Sequence, residues 1–177
     1  MIKAAVAALE KYTDQKFVSQ VWLQYMDRFP MNYSKDWWDG VKEMPTTELY
    51  SPCNDIVLLT GPLRSLISFK TYADDGVGVA FDPSNYVLDL SGQKGRIALK
   101  IGAVWPTTIL RRLNGIEIEF EVGMAADAAG VPHEVKQAVL EYVSVLYENR
   151  GDEKPAIPVS ALSLVEPHRI FKAGLNA

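Results

Sequence analysis

The stretch from Val131 to Arg150, VPHEVKQAVLEYVSVLYENR, restricts the fold more than any other, because its period, start signal and stop signal all agree. Val135, Ala138, Val139, Tyr142, Val143, Leu146 and Tyr147 recur at the i, i+3, i+4, i+7 spacing that stacks side chains on one face of a helix. Pro132 suits a first helical turn, where a missing N–H costs nothing, and Glu134 places a negative charge near the positive end of the dipole. Arg150 and Gly151 supply the cation and the breaker at the other end. Leu140 and Val145 lie outside the main stripe and widen the apolar surface, leaving Glu134, Gln137, Glu141, Ser144 and Glu148 as the polar strip. A helix with so little polar surface touches protein on more than one side.

That helix needs partners, and the chain predicts a few. Ile2, Ala5, Val6 and Leu9 share a face of a short helix over Ile2 to Tyr12, too short to hold alone in water. FVSQVWLQY, from Phe17 to Tyr25, reads as a strand with Phe17, Val21, Leu23 and Tyr25 on one side and Gln20, Trp22 and Gln24 on the other. Short β-type runs follow at Asp55 to Thr60, Leu66 to Tyr72, Val79 to Phe81, Tyr86 to Leu90, Arg96 to Ile101 and Ile116 to Val122. Turn residues separate them, with no helices between, which predicts an antiparallel sheet or small sandwich. In the last run Ile116, Ile118, Phe120 and Val122 alternate with Glu117, Glu119 and Glu121, so one face is core and the other carries three carboxylates. After the main helix, 151–158 reads as a linker and Val159 to Val165 as a short helix stopped before Pro167. The fold class is therefore α+β: a small helical bundle, an N-terminal helix plus the long central one, with an inserted antiparallel sheet or sandwich. Residues 1–150 read as one domain, with the β-rich insertion at about 17–123, and 151–177 as linker, short helix and C-terminal arm.

The chemistry-bearing inventory is thin. His133-Glu134 begins like a zinc-protease helix, but Gln137 stands where the second histidine belongs. His168 lies in the tail, without the rigid support a general base needs. Cys53, the one cysteine, has no local histidine partner, rules out an intrachain disulfide and suits a reducing compartment. The Glu117, Glu119 and Glu121 carboxylates read as a solvated strand face, with a cation site or a hydrolytic carboxylate pair as the sharper alternative. Gly92-Gln93-Lys94-Gly95 and Gly76-Val77-Gly78 both fall short of a phosphate cradle. A formal charge of −4 argues against a tight grip on nucleic acid. No apolar run approaches the roughly 20 residues of a membrane span, and a secretory leader is not evident, so the expected setting is soluble and intracellular. No cofactor and no metal are expected, and a binding or assembly protein is favoured over an enzyme. The loop 26–54 carries Trp37 and Trp38, which either cover the domain's own flank or anchor a partner. Ile170 and Phe171 are apolar for a free tail, as in an arm that folds onto a partner.

Several stretches, in order, resemble the head–tail connector, or adaptor, proteins of long-tailed bacteriophages, prophages and gene transfer agents. They are GPLRSLISFKTYADDG, DPSNYVLDLSGQKGRI, the Trp105-Pro106 pair, GIEIEFEVGMA, VPHEVKQAVLEYVSVLYENR and the Pro167-His168-Arg169 tail, about two thirds of the chain. The resemblance implies a non-enzymatic protein of the virion neck, assembled in the bacterial host cytoplasm. It implies a ring of typically twelve copies beneath the portal protein, with a downstream neck, stopper or tail protein docking below. DNA would pass through the lumen without specific binding, and no membrane would be involved. It assigns portal contact to the arm Pro167, His168, Arg169, Ile170 and Phe171, and makes Leu140 and Val145 candidate subunit contacts. Glu117, Glu119 and Glu121, or Glu134, Glu141 and Glu148, become candidate channel linings. Two features depart from the family's pattern: members usually carry another helix ahead of Ile2 to Tyr12, and Met31 to Cys53 is longer than the usual connection. Trp37 and Trp38 therefore inherit no role from it. The competing classes are a small hydrolase using the strand carboxylates and a monomeric β-rich module binding through Trp37 and Trp38.

Overall fold

The computed structural model describes residues 1–30, 55–92, 94–150 and 155–170. Trp37, Trp38, Cys53 and Phe171 lie outside the described residues. The elements run α1 (Ile2–Thr13), β1 (Gln20–Met26), β2 (Ile56–Val57), β3 (Leu63–Tyr72), β4 (Gly78–Ala80), β5 (Tyr86–Asp89), β6 (Arg96–Leu99), β7 (Ile116–Val122), α2 (His133–Glu148) and α3 (Val159–Val165). The α+β class predicted from the periodicities is the class observed. β7 spans the residues the alternation marks, α3 those before Pro167, and α2 begins at His133, directly after Pro132. Four strands form a sheet in the order β1-β7-β3-β4, and three form another in the order β2-β6-β5. By contacts the chain divides into two units, residues 1–21, 60–65 and 121–177 in the first, 22–59 and 66–120 in the second.

In the first unit the three helices bury one apolar cluster: Leu9, Phe17, Ala125, Val131, Val135, Ala138, Ala161 and Val165. Ala138 and Ala161 are fully buried, as is Ala5, and their small side chains let helix backbones approach closely. Each large side chain removed from water here contributes about 1.5–3 kcal/mol, which is what makes helices as short as α1 and α3 tenable. α1 ends where Asp14 turns left-handed at φ 57°. Just before it, buried Thr13 returns its hydroxyl to the Leu9 carbonyl at 3.0 Å. The Glu10 carboxylate then holds the chain reversal, accepting from the Phe17 amide at 3.0 Å and the Lys16 ammonium at 2.9 Å. After β7 the chain passes Gly123, φ 149°, at a point where an added Cβ would lie 2.7 Å from the backbone of Val18 and Ser19. Only glycine fits that approach.

In the second unit β5 and β6 pair antiparallel, with Tyr86 opposite Leu99 and Asp89 opposite Arg96, and β2 pairs on the other side of β6, with Ile56 opposite Ile97. Asp89 is held down to about 2 by the Ser91 hydroxyl first and then by the Arg96 guanidinium at 2.7 Å. Phe29, Phe69, Phe81, Tyr86 and Trp105 form a cluster of rings, Trp105 stacked on Phe29 at 4.8 Å and Phe69 set edge-on to Phe81 at 5.3 Å. Trp105 of the Trp-Pro pair is thereby part of the aromatic core.

One strand turns its faces against the ordinary rule. In β1 the apolar row is outside, Val21 57%, Leu23 51% and Tyr25 46% exposed, while Gln24 is buried. The buried amide is satisfied: its oxygen accepts from the Leu59 amide at 3.0 Å and its nitrogen donates to the Val57 carbonyl at 3.4 Å. Gln24 thus serves the backbone of the β2 segment, which lets a polar residue take the inner position.

Candidate functional site

The catalytic alternative places its weight on β7, so its carboxylates come first. Each is half-buried and tied to hydroxyls. Glu117 accepts from Tyr72 Oη at 3.2 Å with Lys70 Nζ at 3.9 Å, and Glu119 accepts from Ser68 Oγ at 3.2 Å. Glu121 accepts from the Ser19 hydroxyl and from Ser65 Oγ at 3.0 Å, and Arg64 Nε lies 3.4 Å away. The Ser19 and Ser65 donors, more than Arg64, hold the Glu121 carboxyl below the usual range. Partial burial first, and then the Glu117 carboxylate, push the Tyr72 and Tyr25 phenols up. The strip is a ladder of separate charge-assisted hydrogen bonds, each carboxylate with its own hydroxyl donors, rather than two acids converging on one point. Among the described residues no group of three or more His, Cys, Asp or Glu side chains could hold a metal ion.

The α2 strip differs. Glu134 and Glu148 are exposed, and Glu141 is half-buried, one oxygen 3.4 Å from the Gln137 amide nitrogen. Among the intended contact residues, Leu140 stands 61% exposed and Val145 is half-buried. Leu140 is an apolar side chain on the outer surface of its own unit. Arg150 lies over the Tyr147 ring at 3.8 Å, which closes the last turn of the helix with a cation at the negative end of its dipole.

The arm is anchored at its root. Glu166–His168 forms one 3-10 turn directly after α3. Tyr12 Oη donates to the Glu166 carboxylate, and that bond, before anything else, raises the Tyr12 phenol above its ordinary value. The Arg169 guanidinium lies over the Tyr12 ring at 4.8 Å and 3.4 Å from Glu166 Oε1. The Ile170 amide donates to the Thr13 carbonyl at 2.9 Å, which fastens the chain to the end of α1. Sequence reasoning reads PHRIFKAGLNA as patternless and misses Tyr12 and Glu166 altogether. The contacts join residues more than 150 positions apart, and no local signal marks such a pair.

No family model and no curated protein matches the chain. Solved structures do. A chain in the virion of a native gene transfer agent particle superposes with a TM-score of 0.73 at 21% identity, over 97% of this chain and 76% of that one. The fold is shared with a gene transfer agent particle. A chain in the neck of an empty particle computed with C6 symmetry gives 0.72 at 20% identity, over 97% and 77%. One in the neck of a native particle computed with C12 symmetry gives 0.71 at 21%, over 97% and 81%. The shared fold takes in nearly the whole of this chain, helices and both sheets alike, and most of each neighbour's length.

Proposed function

We propose that this protein is a structural adaptor in the neck of a phage-like particle, forming a closed ring under the portal that continues the DNA channel and receives the next neck or tail protein. The observation that carries the reading is the match over 97% of the chain to chains from particle necks computed with C6 and C12 symmetry. In such a ring each subunit has two neighbours through one heterologous contact that closes. Leu140 and Val145 supply apolar surface for that contact. The arm Pro167 to Phe171 reaches the portal, its direction set by the Tyr12, Glu166 and Arg169 cluster. Of the two acidic strips, Glu134, Glu141 and Glu148 are the better channel lining, because the β7 carboxylates are occupied by hydroxyl donors. Carboxylates facing phosphates discourage sticking within the Debye length of about 10 Å at 0.1 M salt. The hydrolase alternative is not favoured by the spread of the β7 acids along one strand, each with its own donor.

Co-assembly with the cognate portal tests the proposal. Mixed with portal and viewed by negative stain, the full chain is expected to add a ring to the portal. Phe171→Glu is expected to abolish that addition while leaving circular dichroism unchanged. A folded chain that ignores portal at high concentration refutes the reading.

A further inference from the structure

Two helices of the first unit carry outer faces of opposite character. α1 turns Ala5 and Leu9 inward, both fully buried. Its other side carries Lys3, Ala7 and Lys11 at i, i+4 and i+8, with Ala4 beside them, all exposed. Among the described residues neither lysine forms an ion pair. The one acid of this helix, Glu10, is already engaged by Lys16 and the Phe17 amide.

α2 turns Val135, Ala138 and Tyr142 inward. Its outer side carries Leu140 and Tyr147, one heptad apart and 61% and 58% exposed. Of the three acids on this helix, Glu148 lies nearest to them, about 80° round the axis from Leu140 against about 100° for Glu141 and 120° for Glu134. Glu148 is exposed and, among the described residues, has no ion pair. The cations close by are occupied, Lys136 donating to the Ala129 carbonyl at 2.7 Å and Arg150 lying over the Tyr147 ring.

We propose that the outer face of α1 in one copy docks on the outer face of α2 in the next, Ala4 and Ala7 receiving Leu140 and Tyr147 while a lysine meets Glu148. This rests on the ring reading above and names the two faces that close it. The inner sides of both helices pack into the core of their own unit, so each copy offers two different outer faces, as a heterologous contact requires. Their signs are complementary. Either face set against its own kind would bring lysine to lysine or acid to acid, so a head-to-tail contact is favoured over a two-fold dimer. The lengths also agree. Lys3 and Lys11 stand about 12 Å apart along α1, and Leu140 and Tyr147 about 10.5 Å apart along α2, so the apolar pair fits between the two lysines. Alanine at the centre of the α1 face lets the helix axes approach to the short end of the usual 8–10 Å or so. Glu134 and Glu141, farther round α2, are left to the lumen.

Charge reversal in two separate full-length chains tests this. Lys3→Glu with Lys11→Glu makes α1 acidic, and Glu148→Lys makes the α2 face basic; all three positions are exposed, and circular dichroism checks that each chain folds. Mixed alone with the cognate portal, each variant is expected to add about fivefold fewer rings than the unaltered chain, since like charges then meet at every contact. An equimolar mixture of the two is expected to restore the rings. There the acidic α1 of one chain meets the basic α2 of the other, and the unaltered lysines of the second meet the unaltered Glu148 of the first. Native mass spectrometry is expected to count the two chains in equal number in each ring. Either variant alone forming rings as well as the unaltered chain, or a mixture no better than its components, overturns the docking and leaves the adaptor reading standing. An unaltered chain that adds no ring to the portal removes both.

Discussion

Replacing Gly123 with alanine is expected to destabilise the protein far more than the same change at Gly76, and the difference measures how closely two backbone segments of the first unit approach. Gly76 has φ 75° with nothing within 4 Å of an added Cβ, so alanine there suffers only the left-handed backbone cost of about 1–2 kcal/mol. Gly123 has φ 149° and an added Cβ 2.7 Å from Ser19 N and from Val18 C, both backbone atoms. The conformation costs about 1–3 kcal/mol, and relieving the overlap a further 1–3 kcal/mol or so. The two segments are tied in place: the Ser19 amide donates to the Ala125 carbonyl at 2.8 Å and the Gly123 amide to the Pro62 carbonyl at 2.9 Å. The sum, about 2–6 kcal/mol, is a large part of the 5–15 kcal/mol by which a domain is ordinarily stable. At about 2–4 °C per kcal/mol for a chain of this size, Tm falls by roughly 5–20 °C. Urea unfolding followed by tryptophan fluorescence, with Gly76→Ala as the matched control, reads the difference directly. A midpoint for Gly123→Ala equal to that of Gly76→Ala would refute the close approach and with it the account of how β7 leads into the helical unit.

Leu9→Ala empties the centre of the helical cluster and is expected to cost about 3–5 kcal/mol, seen in thermal melts by circular dichroism, whereas Leu140→Ala, at an exposed position, should change the melting of the isolated chain by less than about 0.5 kcal/mol yet weaken ring assembly. Tyr12→Phe removes the donor to Glu166 and is expected to speed amide exchange at Arg169 and Ile170 while the α2 amides keep their protection. Asp89 is expected to contribute stability above its unfolded value near 3.9 that is lost as pH falls through about 2; acid titration of Asp89→Asn should lack that component. The Tyr12 phenol is shifted the other way, so its contribution is present below pH about 10 and is lost as pH rises through the elevated value. Tyr12→Phe should therefore flatten the alkaline limb of the stability curve.

The local order was legible in the residues. Alternation in IEIEFEV produced β7 at its observed bounds, and the 3.6-residue period with Pro132 ahead of it produced α2, because both depend on neighbours within a few positions. What the residues could not decide was which face of β1 points inward: period 2 separates Val21, Leu23 and Tyr25 from Gln24 but does not say which set is buried. The answer came from the β2 segment, whose Val57 and Leu59 backbone groups meet the Gln24 amide and draw it inside. The acidic row of β7 was equally visible, but its character came from Ser19, Ser65, Ser68 and Tyr72, brought alongside by the sheet. The tail has no period of its own, and its root is held by Tyr12 and Thr13 of the first helix. Sequence alone determined the elements, since each is specified by short-range periodicity and end signals. Tertiary structure decided which side chains stay exposed, since exposure is the outcome of long-range pairings that no local pattern encodes.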